Sequence, residues 1–477
     1  MKNVIIKNTS ALFVGALFEN LLSYFLIVFI ARYLGDVGLG EYSFIIAFGY
    51  SVILLANPGL DYLLLKEISR DRELTVPYIS NILSIKIILT LLAVCMTFIG
   101  SLFLNKNPLV IRSLWIITLV LGFSGIGNIF NNILQSNEQM GLIALVKVLE
   151  RAIALALGLF FLSTTHSLFY LTLALFSSGI LREAAYIYLT KTYVPRRWGV
   201  DLALWKPLFV RSLPYALTSI FMFIYFRTDT VMLSLLINDQ VTGWYNAAYR
   251  LLDLLTQIPV LFVTAVLPSM SRYSKEDLGA LRDLFHYSFR FLVLLVFPIG
   301  VGIFILAPRV IFFIYKSGFE NAVLTLKILI WAAVFIFMNF LCGNLLNLIN
   351  KQKIFTGIIG IAALFNIVLN FVLIPRYSYV GAGVATVLSE ALIFILMYHF
   401  VKKHFIRIPL WEMVWRPTSS SLLMAVIILN LDSLPLWYLV PIGTVSYFLC
   451  FALLGGFNKQ DRDVVSAIFS MMGPKKG

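Results

Sequence analysis

Residues 11–34 read ALFVGALFENLLSYFLIVFIARYL, and after only seven others residues 42–65 follow with YSFIIAFGYSVILLANPGLDYLLL. Each run exceeds the roughly 20 apolar residues that a helix needs to cross a bilayer. Lys2 and Lys7 precede the first run, which continues to about Leu34 without a small-residue cleavage site. That length exceeds a signal-peptide core, so the first span is predicted to stay in place as an uncleaved anchor.

The pattern repeats along the chain. Further apolar runs predict spans near 79–104, 113–133, 142–162, 168–190, 213–237, 244–267, 289–307, 324–349, 354–374 and 382–400, then a short one near 417–431 and a last near 437–454. Composition agrees, with 60% hydrophobic residues, only 13% charged, 40 Phe and a mean hydropathy of +0.92. A water-soluble domain carries roughly 25% charged residues. The 477 residues are therefore divided by bilayer thickness rather than into soluble domains. The fold class expected is an all-α polytopic membrane protein with about fourteen transmembrane helices.

An even number of crossings places both termini on one side, and Lys and Arg decide which. With the N-terminus inside, 24 of the 37 cations fall in cytoplasmic segments. Only Arg32, Lys106, Arg112, Arg309, Lys316, Lys327 and Arg376 fall outside. The reading is a multi-pass protein of the cell membrane with both termini cytoplasmic. The net charge of +14 sits in short loops and not on a patch with interleaved aromatics, which argues against nucleic acid as a partner. Cys95, Cys342 and Cys450 lie in apolar runs and read as buried thiols, without a disulfide framework or metal site. His166, His286, His399 and His404 show no zinc spacing, and no Gly-Lys-Ser/Thr loop for ATP is present.

The spans also repeat. Asp36, Gly40 and Tyr42 return as Asp239, Gly243 and Tyr245, and Lys86 returns as Arg290. Asn131 with Asn137-Glu138-Gln139 matches Asn344 with Asn350-Lys351-Gln352, and Leu181-Arg182-Glu183-Ala184 matches Leu388-Ser389-Glu390-Ala391. Four matches in register divide the chain into 1–190 (spans 1–6), a basic linker 191–212, 213–405 (spans 7–12), and 406–477 with spans 13 and 14. Six spans per half make the repeats parallel, an architecture of transporters that rock two bundles about a central site.

The segment Ala31-Arg32-Tyr33-Leu34-Gly35 followed by Gly40-Glu41-Tyr42 resembles the first-hairpin signature of the polysaccharide transporter (oligosaccharide flippase) family. That family belongs to the multidrug/oligosaccharidyl-lipid/polysaccharide exporter superfamily. Gly243-Trp244-Tyr245-Asn246-Ala247-Ala248-Tyr249-Arg250 and the run from Ile374 to Gly383 add to the likeness, which covers about residues 3–405. Ser378 stands where the family's turn carries Gly. The resemblance implies two six-helix lobes in a V that alternate between inward and outward opening. It also implies a lipid-diphosphate-linked oligosaccharide as the substrate moved from the inner to the outer leaflet, with membrane lipids and polysaccharide-assembly enzymes as partners.

Charges inside the bilayer are costly and mark function or pairing. A lipid diphosphate calls for Arg donors in a fork and Lys point charges. Arg227, near the middle of span 7, is the first candidate; Asp229 lies two residues on, about 200° round the helix. The bland reading is an Arg–Asp pair locking span 7 to a neighbour. Lys147 and Arg151 share one face of span 5, with Glu150 placed to neutralise Lys147 or with Lys147 snorkelling to the interface. Lys86 lies about two turns inside span 3, and Arg250 is spaced to pair with Asp253 on span 8. Glu19, Asp229, Asp253, Glu183 and Glu390 are candidates for carrying a coupling proton or sodium ion; no other cofactor is expected. Competing functions are a peptidoglycan-precursor flippase, a multidrug extruder, and a membrane glycosyltransferase or polymerase. The extruder would favour acidic cavities, and the enzyme would need a large outer loop, whereas no extramembrane stretch here exceeds about 20 residues. The chain is therefore read as a transporter and not an enzyme.

Overall fold

The computed structural model describes residues 2–71, 75–194 and 199–457, and the secondary structure assigned to them is helical. The helices are α1 (Lys2–Ile53), α2 (Leu60–Arg70), α3 (Thr75–Ser101), α4 (Pro108–Ser136), α5 (Met140–Thr165), α6 (Leu168–Thr190) and α7 (Leu202–Leu236). They continue as α8 (Asp239–Glu276), α9 (Leu278–Tyr315), α10 (Glu320–Leu348), α11 (Gln352–His404), α12 (Leu410–Asn430) and α13 (Leu436–Leu453). Among the described residues, ten helical stretches are long and apolar enough to cross a membrane. Two of these, Val14–Ala56 and Gln352–His404, run to 43 and 53 residues, each enough for two crossings. α5 and α12, with 26 and 21 residues, carry more charge and are long enough for two more. Each of the fourteen runs read from hydropathy is thus helical over most of its length.

The long stretches are broken where their hairpins turn. Gly35 interrupts α1 at φ 71, ψ −167, and Ser378 interrupts α11 at φ 53, ψ −134. Gly35 adopts its conformation without steric cost. Ser378 does not, because its Cβ crowds the backbone at positive φ. Ser378→Gly is therefore expected to stabilise the protein by about 1 kcal/mol, read as a rise in the apparent melting temperature in detergent; an unchanged or lower value would contradict this account. The second predicted span is also interrupted. Its helix ends at Ile53, a short 3-10 turn covers Leu54–Ala56, and Gly59 (φ 75) restarts the chain as α2.

Packing divides the chain into two compact units, 1–247 with 359–382, and 248–358 with 383–477. The first therefore takes in α7 as well as the first six spans. The reason is local: α7 packs on α1, α2 and α3. Near its start, Asn81 Oδ1 accepts from the Asp201 amide (2.9 Å) and Trp205 Nε1 (3.0 Å). Further along, Arg211 donates to Glu67 and Tyr78 at 2.9 Å. Leu60, Leu63, Leu64, Ile79, Ile82, Ile133 and Leu208 form an apolar cluster among α2, α3, α4 and α7.

In the second unit the appended pair α12–α13 packs on α9 through Val301, Leu306, Met424, Ile428, Leu439 and Tyr447. Arg309 of α9 donates to the backbone of Asp432 and Leu434 and to the Asp432 carboxylate at one end of the pair. Arg290 donates to the Gly456 carbonyl (2.7 Å) at the other, and Tyr447 donates to Leu294 O (2.8 Å) between them. Large apolar residues such as Leu91, Leu102 and Phe103 are exposed, the surface expected against lipid tails rather than water. The cysteines depart from the sequence expectation. Cys342 is buried, but Cys450 is half-buried and Cys95 exposed. An apolar run crossing lipid has an outward face, so lying within one does not bury a thiol in protein.

Candidate functional site

The charged and polar residues of the spans were the expected site, and the first unit holds most of them. The hairpins matched by the repeat meet each other. Gly40 lies so close to the Asp239 carbonyl, and Gly243 so close to that of Asp36, that a methyl on either glycine would overlap the opposite backbone. The contact is reciprocal and uses equivalent positions of the two halves. Asp36 accepts from Gln240 Nε2 (2.9 Å) and Trp244 Nε1 (2.8 Å), while Lys106 donates to Asp239 at 2.7 Å and to Ser234 at 2.8 Å.

Lys86 is 1% exposed and pairs with Asp61 at 2.5 Å; it also donates to the Gly125 carbonyl. The Asp61 carboxylate accepts from Asn57 (2.6 Å) and Asn128 (3.4 Å), and Asn132 donates to its backbone carbonyl at 3.0 Å. Lys86 therefore belongs to a buried polar knot rather than to an open cationic surface. Asp61 was not anticipated. Its signal was present in the sequence as an acid inside the apolar run 42–65, one turn after Pro58-Gly59.

On α5, Glu150 reaches Arg151 (3.5 Å) and not Lys147, contrary to the neutralisation expected from spacing, and Glu19 of α1 stands 4.0 Å from Arg151. Lys147 is half-buried and has no hydrogen bond or ion pair among the described residues. On α6, Arg182 and Glu183 pair at 2.6 Å, and Arg182 also donates to Ser124 of α4. The Glu183 carboxylate fills the space that a side chain at Gly127 would occupy.

Arg227 is half-buried on α7, and Asp229 is 2% exposed. Asp229 accepts from the Tyr245 hydroxyl and from the Thr230 amide (2.7 Å). In the second unit, Arg250 and Asp253 form the expected i,i+3 pair at 3.3 Å. Glu390 is buried and accepts from Asn339 Nδ2 at 2.8 Å. The repeat-matched acids thus do the same thing within their own units: Glu183 on the sixth span faces the fourth, and Glu390 on the twelfth faces the tenth. Their partners differ, an arginine and glycine in one case and an asparagine in the other.

The family model described as polysaccharide biosynthesis protein matches residues 5–274, and the MatE model matches residues 214–372. The probable low-salt glycan biosynthesis flippase Agl15 of Haloferax volcanii is 28% identical over 277 residues. That match covers 54% of this chain and 58% of the relative, so the chain spans little more than half of that relative's length. The capsular polysaccharide biosynthesis protein CapF of Staphylococcus aureus is 22% identical over 84% of this chain and all of its own. Among solved structures, the lipid II flippase MurJ in an inward closed conformation superposes with a TM-score of 0.81 at 17% identity. That alignment covers 95% of this chain and 99% of the other, a likeness of fold. With more than half of its length on the family model, this multi-pass membrane protein belongs to the polysaccharide biosynthesis protein family.

Proposed function

We propose that the protein is a secondary transporter that flips a lipid-diphosphate-linked oligosaccharide from the inner to the outer leaflet by alternating access, for cell-surface polysaccharide biosynthesis. Membership of the family carries this reading, and the names of Agl15 and CapF agree with it. Within the spans, Arg227, Lys147, Arg151 and Arg250 are all half-buried, as a cation that meets a diphosphate must be, whereas Lys86 is sealed in the core. Lys86, Arg151 and Arg250 each have a carboxylate within 4.0 Å and serve first as partners in pairs.

Transport of a fixed dianion is coupled to a proton or sodium ion in this reading, with Asp229, Glu19, Glu183, Asp253 and Glu390 as carriers to be tested. The six-span halves 1–190 and 213–405 act as the two lobes, both termini are cytoplasmic, and glycan-assembly enzymes supply the substrate. A peptidoglycan-precursor flippase is the second reading, suggested by the name of the lipid II flippase that shares the fold; its substrate has the same lipid diphosphate and differs in the group that the diphosphate carries.

Arg227→Ala is expected to abolish surface glycan at an unchanged protein level, and Lys147→Ala to reduce it. Full export by Arg227→Ala would sink the assignment of that cation. Purified protein in proteoliposomes, given defined diphosphate-linked glycans with and without proton or sodium gradients, tests substrate and coupling together. No flipping of any such glycan under either gradient would overturn the function.

A further inference from the structure

On one flank of the second unit, α9, α10 and the part of α11 beyond Ser378 border an apolar groove of about 400 Å³. This is the size range of small-ligand sites, about 300–1,000 Å³. Leu324, Lys327 and Trp331 line it from one face of α10, with Phe304 from α9 and Val387 and Leu388 from α11. Phe304, Leu324 and Leu388 are exposed, so the groove opens outward, where a span meets lipid. Among the lining residues Lys327 alone is charged. It is half-buried, and it makes no hydrogen bond or ion pair among the described residues. Its ammonium is not sealed off and lies 5.6 Å from the centroid of the Phe304 ring. A ring face answers part of the charge but offers no oxygen to the three N–H donors.

Snorkelling does not explain this lysine. Lys327 stands seven residues after the start of α10, and Phe304 eleven residues before the end of α9. Those spacings are about 10 and 16 Å below the neighbouring ends of the two helices. A snorkelling lysine turns its charge toward the surface, whereas this one is held over a residue set deeper than itself. A charge kept within a span calls for a partner. The 29 residues of α10 reach about 43 Å, the thickness of a bilayer with its headgroup layers. Lys327 therefore stands where headgroups give way to acyl chains, and the groove continues about 6 Å deeper to Trp331. A cation at that level beside an apolar channel is complementary to a molecule with an anionic head and a hydrocarbon tail.

We propose that this groove holds one anionic phospholipid of the adjacent leaflet, its phosphate on the Lys327 ammonium and an acyl chain against Trp331, Val387 and Leu388. The site is separate from the paired charges of the first unit and does not depend on what is transported. Native mass spectrometry of the full chain, purified with phosphatidylglycerol or phosphatidylcholine of identical chains, tests it. Wild type is expected to retain phosphatidylglycerol in preference. Lys327→Gln is expected to lower that retention about tenfold, the value of a charge-assisted hydrogen bond. Phosphatidylcholine retention is expected to stay the same in that variant, a selective loss that poor folding cannot imitate, and Lys327→Arg is expected to keep the preference. Leu388→Trp fills the groove and is expected to lower retention of both lipids. Equal retention of the two lipids by wild type overturns the proposal, as does a Lys327→Gln protein that keeps phosphatidylglycerol or loses both lipids alike. Unchanged retention by Leu388→Trp overturns the place of the acyl chain. Preference for undecaprenyl phosphate over phosphatidylglycerol, lost in Lys327→Gln, assigns the groove to a carrier lipid instead and overturns the proposal as well.

Discussion

Lys86→Met is expected to destabilise the protein by about 3–5 kcal/mol, the usual cost of removing one partner of a buried ion pair. Lys86 is 1% exposed and the Asp61 carboxylate is held by it and by two asparagines. Taking away the ammonium leaves that carboxylate among apolar helices without its counter-charge. Asp61→Asn is expected to cost a similar amount by stranding the lysine. The double replacement Lys86→Met/Asp61→Leu is expected to recover much of the loss, since a well-packed apolar pair often matches a buried salt bridge in stability. Unfolding in mixed micelles across the cycle measures the coupling. A Lys86→Met protein of normal stability that fails to export glycan would instead make Lys86 a substrate-handling cation.

Gly40→Ala is expected to lower stability by about 1–3 kcal/mol, because a methyl there overlaps the Asp239 backbone and only separation of the two hairpins relieves it. Gly243→Ala is expected to do the same against Asp36. Both methyl groups force open one contact, so the double variant is expected to cost clearly less than the sum of the singles. Additive losses, or an Ala tolerated at either position, would show that the hairpins are not held together at this point. The bonds from Lys106 to Asp239 and from Trp244 to Asp36 stretch in the same event, which sets the direction of the effect on export: both variants are expected to reduce it.

The spans were readable because their signal is local. A run such as 11–34 needs no knowledge of its neighbours to be apolar and long enough. The matched glycines were visible for a related reason: Asp36 with Gly40 and Asp239 with Gly243 preserve residue types at a constant spacing. That these glycines exist to let the two hairpins touch each other was not readable, since spacing within each segment says nothing of contact between them. The intramembrane charges show the same boundary. Arg250 and Asp253 pair along one helix, which spacing anticipates. Glu150 turns to its neighbour Arg151 instead of the equally plausible Lys147, and Glu19 on α1 lies near the same guanidinium, a contact between helices that spacing along one of them does not reveal. Asp61 escaped notice because the break at Leu54–Ala56 and Gly59 re-aims the chain, bringing an acid at the end of one run against a lysine in the next. Ser378 is the reverse case: its departure from the glycine of similar sequences is visible in one dimension, and the positive φ explains what that departure costs.

The arginines of α9 have a mechanical consequence. Arg309 grips the turn between α12 and α13, Arg290 grips the chain after α13, and the Tyr447 hydroxyl is tied to Leu294 between them. Three attachments spread along one helix prevent both sliding and pivoting. The appended pair is therefore a passenger of α9, and any tilt of that helix sweeps the pair's outer edge through the surrounding lipid by a larger arc than the helix itself describes.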